Sequence, residues 1–147
     1  MTTMASAKAA LLTQLQAESG LSTVQVAYGD SGSATRRESV FLGDVSSNDV
    51  SPESITSGRQ RQLEDYQIQV FVCVQSKPVS AQAAETRAAT LATVVTNSIA
   101  DTPQLGGSVS GLMFAETAAM SMQTNEAGID GPQVIIEISV RILARLS

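Results

Sequence analysis

The sequence predicts an α+β fold: a mostly antiparallel sheet with two helices packed on one face, in the order α-β-β-β-α-β-β. Three observations carry this. Residues 63–76 and 133–146 alternate apolar and polar side chains along most of their length, the period of half-buried strands. Between them, residues 81–100 repeat apolar positions at helical spacing. The chain has 147 residues, 43% of them hydrophobic and 16% charged, enough to bury a core as one domain spanning 1–147.

Taken in order, residues 5–19 predict a helix, with Ala5, Ala9, Leu12 and Leu15 as its buried stripe and Gly20 as its stop. A short strand follows at 23–28, with Val24, Val26 and Tyr28 on one face. A Gly/Ser turn at 29–33 leads to a second strand at about 38–45, whose alternation is poor. Residues 46–61 (SSNDVSPESITSGRQR) are the least core-like stretch and predict a long connection, a length that is uncommon unless the segment has a function. In the third strand Tyr66, Ile68, Val70, Val72 and Val74 line the core side. Gln67, Gln69, Phe71, Cys73 and Gln75 line the other, and Glu64 and Asp65 form its polar start.

Pro78 ends that strand and Ser80 is placed to cap a helix. Its stripe is Ala84, Ala88, Leu91, Val95 and Ile99. After a Gly-rich turn at 105–107, residues 109–123 predict a strand. Leu112 and Phe114 share one face of it, and Met120 and Met122 share that face if no bulge intervenes. A turn at 125–132 joins it to the last strand, where Val134, Ile136, Ile138, Val140 and Ile142 face one side and Gln133, Glu137, Ser139, Arg141 and Arg145 the other.

The composition excludes much chemistry. There is no His, which removes the commonest general base and metal ligand and any Ser-His or Cys-His pair. Cys73 is the only cysteine, so no internal disulfide forms, and its mid-strand position gives it no activator. The carboxylates lack metal-motif spacing, and Gly106-Gly107 follows a helix and precedes a strand, the reverse of a phosphate-binding turn. A net charge of −5 with scattered cations argues against a nucleic-acid-binding surface. No apolar run approaches bilayer length, so a membrane is not an expected partner. The expectation is a non-enzyme without cofactor or metal, acting through protein contact.

The elements also resemble a known family. The segments AKAALLTQL, YQIQVFVCVQS, AAETRAATLATVV and VIIEISVRILARL, in this order, look like the tail terminator proteins of long-tailed (siphovirus) phages, the family that includes the lambda terminator. The stretch SSNDVSPESITSGRQR falls where those proteins carry a long mobile segment, and the Ala/Thr/Ser-rich style resembles phages of actinobacteria. The likeness covers nearly the whole chain and rests on topology, with no short signature.

The resemblance implies a virion protein forming a ring, usually of six copies, that caps the head-proximal end of the tail tube, ends tube polymerisation and gives the capsid neck or connector a docking face. Genomic DNA would pass through the lumen without sequence-specific binding. Candidate interaction residues are Asp49, Glu53, Arg59 and Arg61 of the 46–61 connection, and Gln67 and Gln69 of the third strand. Glu137, Arg141 and Arg145 suit ion pairs between subunits, or an ordinary solvated face. Two alternatives stand beside this: another neck protein, such as a head-completion or stopper protein, and a small-molecule-binding α+β module.

Overall fold

Two long strands at the centre of a five-stranded sheet set the architecture. The computed structural model describes residues 2–29, 38–52, 62–75, 80–125 and 132–146. Its elements are α1 (Met4–Gln16), β1 (Gln25–Ala27), β2 (Glu38–Pro52), β3 (Gln62–Gln75), α2 (Ala81–Asp101), β4 (Leu112–Asn125) and β5 (Gln133–Leu146). Short 3-10 turns at Ser19–Leu21 and Leu105–Gly107 follow the two helices. The sheet order is β1-β2-β3-β5-β4. The pairs β2–β3, β3–β5 and β4–β5 are antiparallel, and β1 joins β2 in parallel over three residues.

β3 and β5 pair without interruption from Gln62↔Leu146 to Gln75↔Gln133. One row on each strand is therefore buried together: Tyr66, Ile68, Val70, Val72 and Val74 against Val134, Ile136, Ile138, Val140 and Ile142. Both helices lie over this row. α2 buries the predicted stripe, with Ala92 and Ser98 added. Its first turn is capped by Ser80, whose Oγ accepts the Ala83 amide at 3.2 Å. Arg87 ties the same helix to Glu38 at the start of β2. Ser80→Ala is expected to cost about 1 kcal/mol, read as a small drop in thermal midpoint with unchanged helix content.

α1 differs in phase from expectation. It buries Ala7, Leu11 and Leu15, with Thr3 just ahead, while Ala5 and Ala9 are exposed. Apolar residues surround most of this helix, so spacing alone does not choose the stripe; docking does. Gln14 links the helices, donating from Nε2 to the Ser98 carbonyl at 2.9 Å.

β2 departs furthest from expectation. It runs through Pro52, so 46–52 belongs to the sheet, with Ser46↔Gln67, Val50↔Glu64 and Pro52↔Gln62 paired. Bulges between Leu42 and Val45 and between Ser47 and Asp49 break its alternation, which is why the sequence reads as a poor strand followed by loop. β4 also carries two irregularities, between Leu112 and Phe114 and between Thr117 and Ala119. Phe114 therefore pairs with Leu143 on the helix-free face, while Met120 and Met122 pair with Ile138 and Ile136 on the helix side.

Candidate assembly surfaces

The helices occupy one face of the sheet, and no described helix or strand lies over the other. Because the register of β3 and β5 is continuous there, four of the residues expected to make contacts come together. Gln67 pairs with Arg141, Gln69 with Ser139, and Glu137 with Phe71. Arg145 lies two rows beyond Arg141, exposed at the end of β5, its amide donating to the Gly111 carbonyl at 2.7 Å. Asp49 falls within β2, opposite Asp65. Glu53, Arg59 and Arg61 lie outside the described residues.

Arg141 is engaged within the chain. Its Nε and Nη2 donate to the two Asp65 carboxylate oxygens at 3.0 and 2.8 Å, and its Nη1 donates to Glu116 Oε1 at 3.1 Å. One guanidinium thus bridges three adjacent strands, in the bidentate geometry that suits Arg and a carboxylate. Its hydrogen bonds to Asp65 and then Glu116 raise its pKa. The Arg141 hydrogen bond, helped by Asn48, holds the Asp65 carboxyl below its ordinary range. Neither partner stands out in sequence; Asp65 reads as a polar strand start, and Glu116 becomes visible only when β4 is placed in register. Arg141→Ala is expected to raise the Asp65 pKa in an NMR titration of the side-chain carboxylates, with little change in thermal midpoint because the cluster is partly open to water.

Beside the polar cluster the face is more apolar. Phe41 and Phe71 stack at 5.2 Å between ring centroids. Cys73 is buried next to them in the row, accepting a long contact from Gln133 Nε2 at 3.5 Å.

Two sheet edges form a second kind of surface. Among the described residues no strand pairs with the outer edge of β4, and β1 covers only Ser39–Phe41 of β2. Among the described residues the large apolar side chains left exposed are Tyr28, Val50, Met113, Met120 and Met122.

A third surface is the outer side of α2. There Thr86, Thr90 and Thr93 each donate to the carbonyl four residues earlier, at 2.9, 3.0 and 2.9 Å. With these hydroxyls already paired, the stretch 88–100 presents an uncharged surface of methyl and amide groups.

A groove of about 710 Å³ lies open between α1 and the 105–107 turn, lined by small side chains including Ala9, Ala10 and Thr13. Among the described residues no cluster of three or more His, Cys, Asp or Glu could hold a metal ion, and no helix is long and apolar enough to cross a membrane.

No family model and no curated protein matches the chain. Among solved structures the chain is similar to one described as "Virion of native gene transfer agent (GTA) particle". The TM-score is 0.59 at 19% identity, over 94% of this chain and 93% of that one. At that identity, what the two chains share is the fold.

Proposed function

We propose that this protein is a structural component of a phage-like virion, a tail terminator that forms a ring on the head-proximal end of the tail tube. The observation that carries the reading is the end-to-end likeness, over more than nine-tenths of both chains, to a protein of a gene transfer agent virion. The resemblance of its segments to tail terminators refines that to the tube end. The surfaces agree with it: among the described residues, an uncovered sheet face, two open edges and an uncharged helix side offer broad, shallow contact areas of the kind an assembly protein needs.

In this role the ring ends tube growth by covering the last layer of tube subunits, and its opposite side meets the neck. Six copies are expected from the resemblance. An acidic chain of net charge −5 suits a conduit through which DNA slides without being held, since like charges repel.

The test is a growth assay with purified tail-tube protein of the same phage. Added at one ring per tube, this protein should arrest elongation and give tubes of fixed length that bind neck protein at one end only. Tubes that lengthen at the same rate with and without it would overturn the reading. Binding to the portal or adaptor while ignoring tubes would reassign it to another neck position.

A further inference from the structure

We propose that subunits join head to tail through their sheet edges, the free edge of β4 in one copy pairing with the free edge of β2, beyond β1, in a second copy. The inference deepens the ring reading and rests on it for the closure of the contacts.

The sheet order β1-β2-β3-β5-β4 puts these two edges on opposite sides of the subunit. Among the described residues the large exposed apolar side chains divide between the same two rims. Met113, Met120 and Met122 lie on β4, Val50 on the open part of β2, and Tyr28 just past the end of β1. Two different apolar rims on opposite sides are what a head-to-tail contact requires, whereas a two-fold contact needs only one. Met120 and Met122, 53% and 49% exposed, supply flexible thioether chains that adapt to a partner surface.

The β4 edge also lacks the usual protection. Residues 119–124 (AMSMQT) carry no charge and no Pro, the devices that block strand addition. Its bulge lies between Thr117 and Ala119, so the stretch beyond it keeps a regular ladder with β5. Met120 and Met122 both lie in this unprotected stretch.

The area available fixes how strong one contact is. Six residues in a strand extend about 20 Å, and with a sheet about 10 Å deep the pairing covers roughly 200 Å² per partner. A stable specific interface covers about 800 Å² per partner. One edge contact therefore holds no stable dimer, and the pairing becomes durable only when the ring closes or a tube end gathers the copies. The occupant this fits is a second copy of the chain, bound weakly in solution and firmly in the assembly.

The experiment uses thiol cross-linking of the full chain at high concentration, without tail tubes. A Val50→Cys, Met122→Cys double variant treated with a flexible bis-maleimide should give a ladder of covalent multimers. Each single variant should give at most a small fraction of dimer through Cys73, which is buried. Adding Met120→Lys to the double variant should remove the ladder while leaving the thermal midpoint unchanged, because that side chain is exposed. Efficient dimers from Met122→Cys alone would show a two-fold contact and overturn the proposal, as would the absence of multimers or a ladder that survives Met120→Lys. A ladder from a protein that ignores tail tubes would keep this inference and overturn the functional reading.

Discussion

Glu64→Ala is expected to destabilise the protein by about 3 kcal/mol, lowering the thermal midpoint by roughly 10 °C. Glu64 begins β3 on the core side and is only 2% exposed. Its carboxylate accepts the Thr3 amide at 3.0 Å and the Thr3 hydroxyl at 2.8 Å, and it also accepts the Thr2 hydroxyl. Thr3 is the N-cap of α1 and makes no side-chain cap bond within its own helix. A strand carboxylate therefore serves the helix start, where orphan amides and the positive end of the helix dipole favour negative charge. The Tyr66 hydroxyl completes the cluster at 2.8 Å from Thr3 Oγ1. Removing the carboxylate strands several buried donors at once. Glu64→Gln keeps an acceptor but loses the charge, and is expected to cost about half as much.

The same cluster gives the fold a pH signature at both ends. Burial works against charged Glu64, but the Thr2 and Thr3 hydrogen bonds outweigh it and leave its pKa below the ordinary 4.5. A depressed acid contributes stability that is complete above its unfolded pKa and is lost as pH falls through the folded one. Stability should therefore decline below about pH 4.5, less steeply in Glu64→Gln. For Tyr66, burial and then the Glu64 charge raise the pKa, against the Thr3 bond, to about 12 from 10.0. A raised value contributes stability that is complete below pH 10 and lost as pH climbs towards 12, an alkaline loss on the order of 2–3 kcal/mol. Denaturant titrations across both windows check these slopes; Tyr66→Phe should flatten the alkaline one.

Gly111→Ala is expected to cost about 3 kcal/mol, for a different reason. Gly111 has φ +89°, and a Cβ there would stand 2.3 Å from the Arg145 carbonyl oxygen. That oxygen belongs to backbone, so the clash is not relieved by a side-chain rotation. The Gly111 carbonyl also accepts the Arg145 amide, which locks the entry of β4 onto the end of β5. Hydrogen exchange should show the damage locally, with the Arg145 amide losing protection more than amides at the centre of β5. Uniform protection with an unchanged thermal midpoint would contradict the tight approach.

What the sequence revealed follows physical lines. β3, β5 and α2 were legible because each has one buried side and one wet side over many residues, so periodicity fixed both type and phase. The phase of α1 was hidden because Met4, Ala7, Ala10, Leu11 and Leu12 crowd most of its circumference. β2 and β4 were blurred by bulges, which shift parity at positions no residue type announces. The parallel pairing of β1 was unreadable because nothing in three residues records direction.

The candidate surfaces show the same division. Gln67, Gln69, Glu137 and Arg141 share a face because parity is local and so is legible in each strand. The use of Arg141 by Asp65 and Glu116 depends on the order of strands across the sheet, which only the fold supplies. Glu64 shares the parity of Tyr66 and Ile68, a signal that it is buried; its partners Thr2 and Thr3 lie some sixty residues away.

The proposed function requires a closed ring of this protein at one end of a tail tube. Cryo-electron microscopy of tubes incubated with the purified protein tests it most directly, by averaging the tube ends. A single closed ring of identical subunits is expected at one end of each tube, with adjacent sheets meeting edge to edge. Bare ends, or density scattered along the tube wall, would contradict it.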